Sequence, residues 1–201
     1  MFLVKPFLVI DNWLKQLRAS FMTKKQELLQ IAQNKVREGG YNNFSFRELA
    51  KDVGIKSASV HYHFPTKADL GAELAKQYTD DFISALGEPN AHLAAGKNPV
   101  SIYIEQFRQA LYQDKKMCLC GLLGAESDVL PELVRAEIKR FFNKNLAWLE
   151  QAYLSINTDD ALAAKQQAIK AVSLLEGAMM IIIAIEDNSV FENAAEQLLV
   201  S

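Results

Sequence analysis

Hydrogen-bonding side chains are concentrated in one short stretch of this chain, residues 57–63. The hydroxyl, phenol and imidazole groups of this stretch belong to Ser57, Ser59, His61, Tyr62 and His63. Groups of these types bond to phosphate oxygens and to the edges of bases in the grooves of a nucleic acid. Nucleic-acid contact is therefore the chemistry that the stretch favours.

Two short helices joined by a tight turn are predicted to position these groups. Ser45 is a good N-cap for the first helix, and Glu48 three residues later would complete a capping box. Gly54 tolerates the left-handed conformation that ends such a helix. Ser57 is expected to cap the second helix, and Pro65 to end it. The arrangement is a helix-turn-helix, which lays its second helix in the major groove of DNA.

The stretch from Lys24 to Leu74 resembles the DNA-binding domain of the TetR family of bacterial repressors. The residues that carry the resemblance are Ser45, Glu48-Leu49-Ala50, Gly54-Ile55, Ala58, Tyr62-His63-Phe64, Lys67 and Leu70. A helix-turn-helix pattern alone is weakly specific, whereas the aromatic run followed at fixed spacing by Lys67 and Leu70 is strongly specific. A helical pair that only packs in a core is the alternative interpretation.

The resemblance assigns roles to the side chains of this stretch. Tyr62, His63 and Lys67 would contact phosphates, which fix the register of the protein on DNA but read no sequence. The side chains assigned to base edges are Lys56, Ser57, Ser59 and His61, and the DNA-binding set is completed by Lys25 and Ser45. A core position for Tyr62 and plain solvent exposure for His61 remain open as alternatives.

Composition and charge agree with this interpretation. Half of the 201 residues are apolar and 23% are charged, with few glycines and prolines, as in a mostly helical soluble protein. The net charge is −2, but residues 24–76 hold nine basic and six acidic side chains, so this part carries +3 and the remainder −5. A mildly basic end on an acidic body suits a protein that docks that end on DNA.

Catalysis has no support in the sequence. The chain lacks a nucleophile–base motif, a glycine-rich phosphate loop and paired metal-ligand spacing. Gly39-Gly40 is interpreted as a helix stop. We therefore expect no enzyme activity, no cofactor and no metal site.

Helical periodicity continues through the rest of the chain and predicts an all-α fold. Thr66 and Asp69 form a second capping box, and residues 87–99 are the best linker candidate. Helices are predicted at about 23–38, 66–86, 100–113, 118–129, 131–153, 161–185 and 190–200, besides the helix-turn-helix pair. The predicted organisation is a head with a three-helix DNA-binding domain (22–70), a connecting helix (about 66–87) and a larger helical body for ligand binding and dimerisation (88–201).

Residues 1–21 precede the start of the resemblance. Met22 is a plausible native first residue, so this N-terminal extension is interpreted either as the product of an upstream start codon or as an arm that packs on the body or approaches DNA. Its apolar part, Phe2 to Ile10, is interrupted by Lys5-Pro6 and is too short to span a bilayer.

The helix predicted at 161–185 is nearly free of charge. Residues 171–185 contain one charged side chain, Glu176, so the helix is expected either deep in a core or shared between two subunits, and too short to cross a membrane. The resemblance implies that the last two long helices pair with those of a second copy. The interface residues expected on this basis are Leu174, Gly177, Ala178, Ile181, Ile182, Ile185, Phe191 and Leu198. Such a homodimer would bind an inverted repeat in double-stranded DNA.

The resemblance also implies an effector pocket inside the body. Candidate lining residues are Tyr103, Phe107, Cys120, Glu126, Phe142, Trp148, Glu176, Met179 and Met180. Glu126 and Glu176 stand out because a carboxylate among apolar residues is costly unless it is paired. Either carboxylate would bind a polar or cationic effector, or pair with a basic residue across a dimer; the sequence does not choose.

Cys118 and Cys120 suggest a metal or redox site. Residues two apart on a helix point about 200° apart, which disfavours a shared metal ligand set and a disulfide between them. Two reduced, buried cysteines are the expected state. A cysteine that senses electrophiles remains the alternative.

These expectations together describe a cytoplasmic homodimeric repressor that an unknown small molecule releases from DNA, with no membrane partner. The rival hypothesis is a helical small-molecule binding and dimerisation protein whose head does not bind an operator. In the repressor, the connecting helix would carry the motion between body and head.

Overall fold

The computed structural model describes residues 22–112, 115–157 and 160–199, and every regular element in this part of the chain is helical. The helices are α1 (Lys24–Gly39), α2 (Phe46–Val53), α3 (Ser57–His63), α4 (Lys67–Leu86), α5 (Pro89–Ala94), α6 (Pro99–Tyr112), α7 (Leu119–Ala125), α8 (Glu132–Ile156), α9 (Ala161–Ile185) and α10 (Ser189–Leu199), with a 3-10 turn at Ser127–Val129. The predicted extension 1–21 and the predicted helix ends at 113 and 200 lie outside the described residues.

Local capping starts and ends the helices of the head. The Ser45 hydroxyl accepts from the Glu48 amide at 3.3 Å, and Gly54 ends α2 in the left-handed region at φ 71° and ψ 35°. The Glu48 carboxylate accepts from the Ser45 hydroxyl and not from its backbone amide, so the predicted capping box is only half formed. Ser57 is not a cap: Lys56, with an extended backbone, holds the N-cap position of α3, and the helix begins one residue earlier than predicted.

The connecting helix α4 begins at the predicted capping box. The Thr66 hydroxyl accepts from the Asp69 amide at 3.2 Å, and the Asp69 carboxylate accepts from the Thr66 amide at 2.9 Å. The segment that follows α4 is not an extended linker, because residues 89–94 form α5, which packs on α8. Trp148 Nε1 donates to the Gly87 carbonyl oxygen at 2.7 Å and holds this corner against the body.

The helix predicted at 118–129 is shorter than expected. α7 ends at Ala125, and Val129 in the following 3-10 turn is 74% exposed. The helix stops because Glu126 leaves the helical conformation at φ −98° and ψ 8°. The Ser127 hydroxyl then donates to the Gly124 carbonyl oxygen at 2.6 Å and satisfies one of the free carbonyls of the helix end.

Two hydrophobic cores meet along α8. The head core contains Leu28, Leu49 and Val60, and α8 adds Val134 and Ile138 to it. The body core lies between α4, α6, α8, α9 and α10, and its centre is aromatic. The largest buried side chains of this core are Tyr103, Phe107, Phe141, Trp148 and Phe191. One continuous helix therefore carries part of both cores.

One buried polar pair lies inside the body core. Tyr103 and Asn145 are both fully buried, and the Tyr103 hydroxyl donates to the Asn145 side-chain oxygen at 2.8 Å. The Asn145 side-chain nitrogen donates to the Phe141 carbonyl oxygen at 2.8 Å. Burying these polar groups is tolerated because each finds a partner.

Helix α9 is the most apolar element and the bounds predicted for it are confirmed. By length and composition alone it could cross a membrane, so the expectation that it is too short for a span is wrong. In the fold it packs on α8 and α10 along one side, which buries residues such as Ala171, Leu175 and Met179. The core helices of soluble proteins meet the same criterion of length and composition.

The hydrogen bond between Tyr103 and Asn145 can be tested through its effect on stability. We expect Tyr103→Phe to lower the free energy of unfolding by about 1–3 kcal/mol, because the Asn145 side-chain oxygen loses its donor in a dry core. The matched change Tyr112→Phe removes a hydroxyl that donates to Glu192 in a half-buried position, and we expect a smaller loss because Arg108 still bonds to both carboxylate oxygens. Urea unfolding at one fixed protein concentration measures both, and equal losses would contradict the assignment.

Candidate nucleic-acid interface and ligand cavity

Helix α3 has one buried side and one exposed side. Val60, on α3, and Phe64, directly after it, point into the head core, while Tyr62 between them is 86% exposed. A core position for Tyr62 is therefore excluded. Lys56, Ser57 and His61 are exposed as well, whereas Ser59 and His63 are half-buried. The helix thus presents a row of hydrogen-bonding groups to solvent.

The His61 side chain is exposed, but its orientation is fixed by two contacts. Its Nδ1 atom lies 3.3 Å from the Pro65 carbonyl oxygen, and its ring meets the Phe46 ring edge-on at 4.8 Å between centroids. These two contacts hold the imidazole in one orientation on the outer face of α3. The ring therefore needs little reordering to meet a partner.

Two of the three lysines predicted to contact DNA, Lys67 and Lys25, are already oriented by the protein. The Lys67 ammonium lies over the rings of Tyr41 and Phe44, at 4.8 and 4.5 Å from their centroids, and partial burial lowers its pKa. The Lys25 ammonium bonds to the Glu73 carboxylate at 2.8 Å, so its charge is partly neutralised within the protein. Ser45 is exposed but serves as the N-cap of α2.

Besides α8, a small joint with polar contacts at both ends connects the body to the head. We call it the α7 joint and define it as residues 116–126, that is, α7 with the residues on either side. The Arg37 guanidinium donates to the carbonyl oxygens of Met117 at 2.7 Å and Lys116 at 3.1 Å. At the other end of the joint, Glu126 Oε2 accepts from the Tyr41 amide at 2.9 Å. These bonds connect the Arg37 side chain of α1 and the Tyr41 backbone to the body.

Glu126 therefore belongs to this joint and not to an effector pocket. Gly40, with φ of 80°, brings the backbone close to the carboxylate, and a Cβ atom at this position would lie 2.0 Å from Glu126 Oε1. The absence of a side chain at Gly40 is what lets the carboxylate reach the Tyr41 amide. Glu126 does not border the cavity between α7, α8 and α9.

A cavity of about 650 Å³ lies between α7, α8 and α9. Of the predicted lining residues, Phe142, Glu176 and Met180 border it. Tyr103, Phe107, Cys120, Met179 and Trp148 do not, because they are buried in the body core, where Tyr103 and Trp148 stack at 5.8 Å. Most of the wall is not predicted by the sequence pattern, including Gly121, Gly124, Ile138, Lys139, Leu146 and Val172. The sequence contains one local indication of this cavity. Gly121 and Gly124 lie three residues apart on one face of α7, and that face therefore carries no side chain at either position.

Glu176 is the unusual group in this cavity. Both of its carboxylate oxygens are buried, and neither has a hydrogen-bond partner among the described residues. Burial raises its pKa to about 7, and the neighbouring Cys118 thiol offsets only part of that rise. Gly121 makes room for the group, because a Cβ atom there would lie 2.2 Å from Glu176 Oε2.

The two cysteines are buried thiols. Cys118 Sγ, at the N-cap of α7, accepts from the Gly121 amide at 3.4 Å, and Cys120 lies in the body core. Burial and the nearby Glu176 carboxylate raise the pKa of both thiols, which disfavours the reactive thiolate. Among the described residues, no group of three or more His, Cys, Asp or Glu side chains is placed to hold a metal ion.

Half of the residues predicted for a dimer interface lie inside the subunit. Ala178, Ile182, Phe191 and Leu198 are buried in the body core, where they pack between α9, α10 and their neighbours, so their assignment to an interface is wrong. Ile181 and Ile185 are exposed, and Leu174 and Gly177 are half-buried. The further large apolar side chains that α9 and α10 expose are Leu162, Ile169, Met180, Ile183 and Leu199.

The fold and the exposed α3 define an all-helical protein with an N-terminal helix-turn-helix head. Residues 28–74 match the family model described as bacterial regulatory proteins, tetR family. The TetR transcriptional regulator of Legionella pneumophila superposes with a TM-score of 0.78 at 26% identity, over 89% of this chain and 96% of that one. A TetR-family regulator of Agrobacterium tumefaciens superposes with a TM-score of 0.73 at 29% identity, over 88% and 95%. Residues 28–74 therefore form a head of the TetR-family type, and the chain as a whole has the fold of these TetR regulators.

Relatives found by sequence are more distant. The fatty acid metabolism regulator protein of Bacillus subtilis is 23% identical over 106 residues, which is 53% of this chain and 53% of that protein. The HTH-type transcriptional regulator RutR of Escherichia coli is 23% identical over 139 residues, or 66% of this chain and 65% of RutR. The match thus spans less than two thirds of the length of either relative.

The exposed tyrosine gives a test of the head. We expect Tyr62→Ala to weaken binding to a specific site and to competitor DNA alike, by about five- to tenfold, because one phosphate contact is lost. The fold should persist, since this side chain packs on nothing in the core. Fluorescence anisotropy measures both affinities, with Leu93→Ala on the distant α5 as the control. A changed base preference would contradict the assigned role.

Proposed function

We propose that this protein is a sequence-specific DNA-binding transcriptional regulator, a homodimeric repressor that a small-molecule effector releases from its operator. The observation that carries the proposal is the family match over 28–74, together with an α3 whose outer side offers Tyr62, His61 and Ser57 to solvent. As a regulator that acts on bacterial DNA, it would work in the cytoplasm.

The exposed apolar side of α9 supports the dimer. Met180, Ile181, Ile183 and Ile185 are all exposed within about two turns at the end of this helix. A contiguous apolar surface of this kind on a soluble protein marks an interaction site. In a two-fold dimer the same surface of the second copy would cover it, and two heads would face one DNA duplex. The operator would then be an inverted repeat, with half-sites about one helical turn (~10 bp) or a multiple apart.

The α7 joint supports effector control. Gly121 and Gly124 border the cavity, while Leu119 and Leu123 of the same helix lie in the head core. A ligand that displaces α7 would therefore also move residues against which α1 packs. An effector that favours the displaced state by ~3 kcal/mol would weaken DNA binding about a hundredfold. We assign the coupling to the α7 joint acting together with α4.

The alternatives have weaker support. A cysteine-based electrophile sensor would need an accessible thiolate, and both thiols are buried with raised pKa. A binding and dimerisation protein without an operator would have little use for an α3 that leaves Tyr62 in solvent. The names of the two relatives describe those proteins and do not identify the effector of this one.

Binding to the DNA that flanks its own gene tests the function. The measurement is fluorescence anisotropy, titrated with salt and with competitor DNA. Specific binding with a log–log salt slope of about −0.9 per phosphate contact is the expected result. If competitor DNA displaces the protein as effectively as the unlabelled flanking DNA does, or if the protein does not bind at low salt, the rival hypothesis of a protein that binds no operator is favoured.

The dimer surface has its own test. We expect Ile181→Glu to give a monomer and to weaken operator binding by more than about tenfold, because a buried charge opposes association and one head alone lacks half of the contacts. The control is Leu93→Glu, since Leu93 is 42% exposed and Ile181 is 44% exposed, but Leu93 lies on α5. Light scattering after gel filtration gives the mass. A dimer that survives Ile181→Glu would contradict this interface.

A further inference from the structure

The cavity between α7, α8 and α9 contains one buried charge that the fold itself leaves without a partner. Glu176 is the single charged residue in the stretch 171–185 and borders the cavity. Both carboxylate oxygens are shielded from solvent, and neither accepts a hydrogen bond from a described residue. A buried hydrogen-bond acceptor without a donor destabilises the folded state, so the presence of a carboxylate at this position requires an explanation.

The neighbours of Glu176 do not supply the missing donor. Arg135 and Lys139 of α8 border the same cavity but are exposed, and the Arg135 guanidinium is already bonded to Glu132. On the α7 side the carboxylate faces Gly121, which has no side chain, and the Cys118 thiol, a weak donor that offsets only part of the rise in the Glu176 pKa. The remainder of the wall is mostly apolar, with Phe142, Leu146 and Val172 among its members.

We propose that this cavity binds an apolar amine, whose ammonium group donates to the Glu176 carboxylate while its hydrocarbon part lies against the apolar wall. The inference rests on the proposed function in one respect, because the amine would be the class of effector that releases the protein from DNA. The volume of about 650 Å³ is within the usual range of small-molecule sites (about 300–1,000 Å³).

The chemistry of a carboxylate selects among ligand classes. An ionised carboxylate only accepts hydrogen bonds, so an ammonium satisfies both its charge and its lone pairs. A neutral alcohol donates one hydrogen bond and leaves the charge uncompensated. A carboxylate ligand would place a second negative charge beside the first. The order of affinity for one chain length should therefore be amine, then alcohol, then acid.

Isothermal titration calorimetry of the purified full chain tests this order. The probes are octylamine, octanol and octanoate at about pH 8.5, above the pKa of about 7 that burial gives Glu176 and below the usual pKa of an alkyl ammonium. We expect octylamine to bind at least about tenfold more tightly than octanol. In Glu176→Gln, which keeps the shape but removes the charge, this preference should disappear while octanol binding stays the same. The control Glu196→Gln, at an exposed carboxylate of α10, should leave all three affinities unchanged.

A second variant displaces the Glu176 carboxylate without removing its charge. Gly121→Ala places a Cβ atom 2.2 Å from the present site of Glu176 Oε2, so the carboxylate must move. We expect weaker octylamine binding in a protein whose circular dichroism spectrum remains helical. Unchanged octylamine binding in both Glu176→Gln and Gly121→Ala would overturn the proposal.

The stability of the ligand-free protein provides an independent readout. At about pH 8.5, where Glu176 is a buried charge without a partner, Glu176→Gln removes that charge and should raise the Tm without ligand. A lowered Tm would mean that Glu176 is already paired, for instance with a basic residue of a second copy, and would overturn the proposal.

The same probes separate this inference from the proposed function. Octylamine binding is measured without DNA, and release is then measured by adding octylamine to the protein–operator complex. Binding without release would support the amine site and count against its role as the effector site. Operator binding together with no preference for octylamine would overturn the amine site and leave the regulator intact.

Discussion

The apolar stripe of α8 is the packing on which the rest of the structure depends. Its first turns place Val134 and Ile138 in the head core, and its later turns place Phe141, Trp148 and Leu149 in the body core. Each fully buried side chain of this size contributes about 1.5–3 kcal/mol relative to exposure. Because a single rigid helix belongs to both cores, side-chain packing and not a flexible linker sets the position of α3 relative to the body.

The α7 joint adds a second connection of a different kind. It is short, and it adds polar contacts, of Arg37 with backbone carbonyls and of Glu126 with the Tyr41 amide, to the packing of Leu119 and Leu123 in the head core. Directional bonds of this type have discrete arrangements, whereas a packed core resists gradual deformation. The joint also forms one wall of the cavity. A local change in the cavity is therefore well placed to reach the head without disturbing the larger core along α8.

Glu176 contrasts with the buried polar pair at the centre of the body. Tyr103 and Asn145 satisfy each other there, and the result is a rigid centre. Glu176 is left unsatisfied beside an open cavity. Local inconsistencies of this kind are expected where a protein keeps a site for a ligand, since the missing partner is supplied on binding.

The sequence by itself determined the elements whose causes are local. The caps at Ser45 and Thr66, the left-handed Gly54 and the bounds of α9 could be predicted because each depends on residues within about four positions along the chain. Only the tertiary structure decided which apolar side chains border the cavity and which fill the core. The inward orientation of Phe191 is one example. It also paired Glu126 with Tyr41, 85 residues away. Burial and partner choice depend on contacts between distant helices, and a helical period identifies an apolar face without naming what covers it.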